Sequence, residues 1–556
     1  MKETNLSLAQ KVKLQPIRSI ADKLGLSEDD YESYGKFKAK LSLDLINLEK
    51  VKNNRLILVT AISPTASGEG KTTISVGLSE ALNRIGHKTI VALREPSLGP
   101  VFGIKGGATG GGNAQVLPME DINLHFTGDF SAIEKANNLI ASLVDNHILS
   151  TQGDPDAQVK IDPKTVVWKR VIDSNDRFLR NVITGLGGPL HGVPSETGFN
   201  ITAASEIMAI LCLSEDIPDL KRRISNIYIG DNFEGDPVFV RDLKIEGSVA
   251  LLLKDAIKPN LVQTTAGNPA LIHGGPFANI AQGTSSLLAT KMALSLADFA
   301  VTEAGFGADL GAEKFINIKC QTGNLKPRVI VIVATIKALR SHGKEDDLHP
   351  LDALQRGFAN LQKHISNVKS FGRPCVVALN LFPDDTDEEI ELVKSLCSQE
   401  GVTAHCCEVW LKGGEGAEDL AHHVAQLSEQ NGDLKPTYSW KASVKEKIET
   451  VARQIYGARA VQFQLPAQKK LRKISEMGLN GLPVCIAKTP VSFSDNPLLL
   501  GAPGNFEVVI RDIEIASGAG FVVPLAGDIL RMPGLPRIPA ALKMDISDEG
   551  VISGLN

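Results

Sequence analysis

Residues 55–93 constrain the fold more than any other stretch. "RLILVTAI" (55–62) is a short apolar run bounded by polar and turn residues, which suits a buried strand. Behind a glycine-containing loop, Ile74, Leu78, Ala81, Leu82 and Ile85 recur at helical spacing, and Gly86 stands where a helix C-cap belongs. "KTIVAL" (88–93) reads as the next strand. Strand, loop, helix, strand is a βαβ unit, and such units build parallel sheets covered by helices. The rhythm returns downstream. "RVIVIVA" (328–334) and "PCVVALNLF" (374–382) read as further buried strands. Thr386 and Glu389 form a capping box ahead of Ile390, Val393, Leu396 and Cys397 on one helical face.

The loop inside the first unit, "SPTASGEGKTT" (63–73), nearly matches the phosphate-binding pattern of Gly, four residues, then Gly-Lys-Ser/Thr. The first glycine would fall at position 65, where the chain has Thr65. The context is nonetheless that of a P-loop, with a buried strand before it and an amphipathic helix behind it. In such loops successive backbone N–H groups line a concavity, the helix N-terminus adds its dipole and the lysine reaches the outer phosphates. Thr65, Ala66, Ser67, Gly68, Glu69, Gly70, Lys71 and Thr72 are therefore expected to bind ATP, with the Thr72 hydroxyl on Mg²⁺. The expected fold is α/β, a P-loop NTPase-like doubly wound parallel sheet with two smaller α/β domains. The expected divisions are a nucleotide-binding domain over 1–362, a second α/β domain over 363–455 and a smaller C-terminal domain over 456–556, where "GLP", "GAPG" and "MPGLPRIPAA" turns concentrate.

A chain of 556 residues exceeds what one hydrophobic core normally serves. Its formal charge of −5 offers no general attraction to nucleic acid or anionic membranes. No apolar run has the length of a membrane span, and the first residues lack the apolar core of a secretory signal. Seven scattered cysteines point to reduced thiols and a cytoplasmic setting. The densest group, His405-Cys406-Cys407, lacks C-x-x-C spacing and a second ligand pair, and so reads as part of a buried strand.

At "TASGEGKTT", followed by "LREPSLGPVFGIKGG" and "PMEDINLHFTGD", the chain resembles the formate–tetrahydrofolate ligases, which open the phosphate loop with Thr. The likeness runs nearly end to end, through "VVWKRVIDSNDRFLRN", "HGGPFANIA", "VTEAGFGADLGAEKF", "KGGEG" and "ASGAGFVVPLAGDILRMPGLP". It implies ATP-dependent ligation of formate to tetrahydrofolate through formyl phosphate, giving 10-formyltetrahydrofolate. It also implies a homotetramer activated by ammonium or potassium. Lys71 and Arg94 take catalytic roles in this reading, with Arg94 clamping formyl phosphate as a planar, permanently charged fork. Phe382 and Trp410 match the aromatic pair that sandwiches the pterin. By residue type alone both aromatics read as core, and Arg94 as the partner of Glu95 in a surface ion pair.

Inside motifs otherwise kept, several positions differ from the family pattern. Asn113 stands for tyrosine, Ser195 and Gln321 for arginine, Asn200 for aspartate and Gln282 for histidine, while Pro490 and Val491 replace Gln-Tyr. Charged or proton-moving groups thereby become neutral. The alternative expectation is a divergent paralogue that binds nucleotide but has a changed substrate or no ligase activity.

Overall fold

The computed structural model describes residues 4–65, 68–103, 109–188, 190–345, 348–430 and 432–555. Seven strands form the parallel body of its main sheet: β1 (Arg55–Ala61), β2 (Thr89–Leu93), β3 (Pro269–Ile272), β4 (Phe299–Glu303), β5 (Pro327–Ala334), β6 (Cys375–Asn380) and β7 (Ala404–Cys407). Their spatial order is β3-β2-β4-β1-β5-β6-β7, and every neighbouring pair in it is parallel. Beyond β3 the sheet turns antiparallel through Asn260–Thr264, Ala39–Leu41 and Tyr31–Ser33. The architecture is thus mixed α/β around a large, mainly parallel sheet. The two strands of 363–455, β6 and β7, extend this same sheet.

These strands are apolar on both faces because both faces are covered. Leu56, Leu58, Ile90, Ala92, Ile330, Ile332, Val377 and Leu379 point to one side. There they meet α2 (Leu287–Leu296) and α3 (Pro350–Ser370). The alternate residues Ile57, Val59, Val91, Val301, Val331, Val333 and Ala378 point to the other side. They meet α1 (Lys71–Arg84) and α5 (Glu418–Ser428), while α4 (Asp387–Gln399) flanks β7 and α3. The first cluster continues without a break into Val484, Ile486, Phe493, Val508 and Ile510 of the C-terminal third. That third folds around a small sheet of Ala460–Phe463, Glu507–Ala516 and Phe521–Ala526.

Local signals are realised where the sequence placed them. Helix α1 ends as the Gly86 signal requires. Gly86 adopts φ +94°, its N–H donates to the Asn83 carbonyl, and His87 N–H donates to that of Leu82. This pair of hydrogen bonds is the Schellman arrangement, which needs a left-handed residue after the cap. Thr386 and Glu389 cap α4 reciprocally, and Val393 and Cys397 are buried on its inner face. The His405-Cys406-Cys407 segment is a strand, as expected, but an edge strand. Cys407 is buried there while Cys406, on the opposite face, is exposed.

Candidate active site

Chain direction sets the location of the site. From β1 the chain moves to β2 on one side of the sheet, and after β4 it crosses past β1 to β5 on the other. Loops leaving the carboxyl ends of neighbouring strands diverge at such a point and open a crevice. The 62–70 loop leaves β1 there. Gly68 and Gly70 take φ of +70° and +80°, conformations that side chains other than glycine rarely adopt. A Cβ on Gly70 would stand 2.5 Å from Asn380 Nδ2, at the carboxyl end of β6. Asn380 Nδ2 also donates to the Glu69 carbonyl at 3.2 Å, and the Glu69 carboxylate accepts from Thr65 N–H at 2.7 Å. These contacts join Thr65, Glu69 and Asn380 just ahead of α1. Ala66 and Ser67 lie outside the described residues.

Behind the loop, Ser63 is completely buried and fixed on three sides. Its N–H donates to Asn360 Oδ1 at 3.1 Å, its carbonyl lies 2.8 Å from His342 Nε2, and its Oγ lies 3.1 Å from His364 Nε2. Asn360 Nδ2 spans from Ser63 Oγ to the Gly501 carbonyl at 2.7 Å, tying the loop to the C-terminal third. Burial drives the His364 imidazole down to about 3, so this ring is neutral at physiological pH.

In front of the loop, Thr72 Oγ1 donates to Glu303 Oε2 at 2.9 Å. Glu303 ends β4, and its other oxygen lies 3.8 Å from Arg94 Nη2 at the end of β2. Arg94 Nη1 donates to the Pro276 carbonyl at 3.2 Å, while its buried Nε has no hydrogen-bond partner. The Arg94–Glu95 surface pair that residue type alone suggests does not form. Successive residues leave a strand end in opposite directions, so Arg94 turns to Glu303. Glu95 is buried on the other side, where desolvation first and the nearby Asp129 charge second hold its carboxyl well above the usual range. A hydroxyl and a carboxylate side by side are hard oxygen donors of the kind Mg²⁺ prefers, and the nearby Gly70 has no room for a Cβ against Asn380.

The aromatics are not core. Phe382 is 45% exposed and Trp410 39%, just past the carboxyl ends of the adjacent strands β6 and β7. A glycine-rich turn supports Trp410: a Cβ on Gly112 would come within 2.6 Å of Trp410 Cγ, and one on Gly111 within 3.3 Å of Cδ1. Asn113 locks the contact, its N–H donating to the Trp410 carbonyl at 2.9 Å and its Nδ2 to that of Leu411 at 2.6 Å. Lys71, Thr72, Arg94, Phe382 and Trp410 therefore all stand at the carboxyl edge of one sheet.

The positions that depart from the family pattern do not share one site. Asn113 serves the Trp410 turn. Gln282 is fully buried with neither amide atom hydrogen-bonded, on the loop whose Pro276 carbonyl receives Arg94. Ser195 sits in a hairpin 3.4 Å from Thr184 Oγ1, and Asn200 lines a cavity of about 580 Å³ shared with Glu206 and Arg531. Pro490 lines another cavity, beside the buried Lys488–Asp309 pair at 2.8 Å. Val491 is half-buried next to it, and Gln321 is exposed ahead of β5, at the opposite end of the sheet from Thr72.

Glu303, Asn380 and the Ser63 anchors were not foreseen. A carboxylate closing the buried run "FAVTE" was a usable signal for Glu303. Nothing local marked the others. Among the described residues no group of three or more His, Cys, Asp or Glu is arranged to hold a metal, and no helix is long and apolar enough to cross a membrane. The motif order agrees with a comparison along nearly the whole chain: the family model for formate–tetrahydrofolate ligase matches residues 3–556, and the protein belongs to this family of ATP-dependent ligases, which join formate to tetrahydrofolate in one-carbon metabolism.

Proposed function

We propose that the chain performs its ligation through formyl phosphate at the carboxyl edge of the main sheet. A formate oxygen attacks the terminal phosphorus of ATP, the bond to ADP breaks, and formyl phosphate forms. N10 of tetrahydrofolate then attacks the formyl carbon and phosphate leaves, giving 10-formyltetrahydrofolate after loss of the N10 proton. The observation that supports this reading is the convergence of the 62–70 loop, Thr72, Glu303 and Arg94. In it, the 65–72 loop holds the ATP phosphates and Lys71 offsets charge on the outer ones. Thr72 and Glu303 are the groups that would hold Mg²⁺, which supplies charge neutralisation on the phosphates. Arg94 faces the transferring group with a guanidinium that cannot lose its charge. Phe382 and Trp410 present ring faces to the pterin. The family resemblance further supports a cytoplasmic homotetramer activated by ammonium or potassium.

Formate labelled with ¹⁸O tests the route. Its oxygen attacks phosphorus and then departs with it, so one label per turnover should appear in inorganic phosphate. Product formation with unlabelled phosphate would overturn the intermediate. One observation favours a second reading, a divergent paralogue without ligase activity: the buried, unpartnered Gln282 beside the loop that receives Arg94. ATP–Mg²⁺ binding together with no formyl transfer would select that reading.

A further inference from the structure

A pair of imidazoles lies outside the ligation site. His405, on β7, and His423, on α5, share one N–H···N hydrogen bond between Nε2 and Nδ1 at 2.8 Å, with ring planes inclined at 61°; an ion bound to both nitrogens would replace the shared proton, which shifts to the donor ring's other nitrogen. We propose that His405 and His423 form a two-nitrogen site for a divalent first-row transition ion that favours square or octahedral coordination, Cu²⁺ or Ni²⁺.

The bite distance supports this choice. Two imidazole nitrogens bound at about 2.0–2.1 Å and at right angles stand about 2.9 Å apart, close to the distance found. A tetrahedral Zn²⁺ would require about 3.3 Å and hence a shift of one ring. Regular secondary structure fixes the backbone beneath both rings. Residue His405 is in register with Ala378 of β6, and α5 buries Leu420, Ala421 and Val424 against the same sheet. Both rings are only half-buried, so water can complete the coordination shell.

Asp419 stands one turn before His423 on α5, and its carboxylate adds negative charge facing His405. Cys406 is not a third ligand. Alternation along β7 turns it away, toward Lys394, Glu391 and Glu408.

The test uses the full chain freed of metal by a chelator and titrated with NiCl₂ and CuCl₂. Calorimetry should find one ion per chain, and the Cu²⁺ spectrum should show two nitrogen donors. His405→Asn and His423→Asn should each weaken binding at least tenfold, whereas His422→Asn, at the exposed neighbour, should leave it unchanged. Circular dichroism checks that the variants fold, and the thermal midpoint should rise with ion in the unmodified chain only. No uptake, binding that survives both substitutions, or binding lost with His422→Asn would overturn the proposal.

Discussion

Lys71 opens helix α1 at the mouth of the 62–70 loop, so its substitution bears on phosphate binding rather than on packing. Lys71→Ala should lower kcat/KM for ATP by a hundredfold or more while the thermal midpoint stays within a degree or two. Ordinary turnover in that variant would remove the loop from the mechanism. Trp410→Ala should raise the Kd for tetrahydrofolate about tenfold, since aromatic stacking contributes about 0.5–1.5 kcal/mol beyond buried area, and leave ATP binding unchanged. Asn113→Ala should produce a weaker form of the same effect, because it frees the Leu411 carbonyl and loosens the turn that aims the indole. Calorimetric titration with tetrahydrofolate measures both. The sequence made Lys71, Thr72 and Arg94 legible because they lie within one motif. It could not show that Thr72 meets a carboxylate 231 residues away, or that Asn113 meets a carbonyl 298 residues away. Such contacts are products of topology, and no local pattern encodes them.

Elements report on two kinds of glycine. At Gly86 a Cβ would meet nothing within 4 Å, so Gly86→Ala carries only the left-handed backbone penalty. It should cost about 1 kcal/mol of stability and leave catalysis intact. Gly70 has the same sign of φ, but its Cβ would strike Asn380. Gly70→Ala should therefore raise KM for ATP tenfold or more at similar cost in stability. Denaturant melts beside steady-state kinetics separate the two. These helices and strands were legible because their signals repeat every few residues: period-3.6 apolar positions in α1, an unbroken apolar run in β5, reciprocal caps at α4. The antiparallel margin at 31–41 was not, since strands of three residues are too short to show a period.

For the whole molecule, buried titratable groups oppose one another. Glu313 is fully buried, and desolvation raises its carboxyl to about 7. Its folded pKa lies above the unfolded one, so the stability it confers is complete below about pH 4 and is lost as pH rises toward 7. His273 is also fully buried, and desolvation lowers its imidazole to about 4. Its contribution is complete above about pH 6.5 and is lost as pH falls toward 4. Glu313→Gln keeps an oxygen for Asn317 Nδ2 and removes the first effect. Its melting temperature should gain on that of the unmodified chain between pH 5 and 8, and a parallel pair of curves would refute the assignment. At this scale the Ser63 anchorage has a hereditary consequence. The start of the 62–70 loop is held by Asn360, which is held in turn by the Gly501 carbonyl. Recombination between two members of the family at any point from 64 to 500 exchanges one end of that chain of contacts without the other. A chimera joined near 455 should thus lose ATP turnover unless both parents place the 501 carbonyl alike, although the exchanged portion contains none of the proposed phosphate-binding residues.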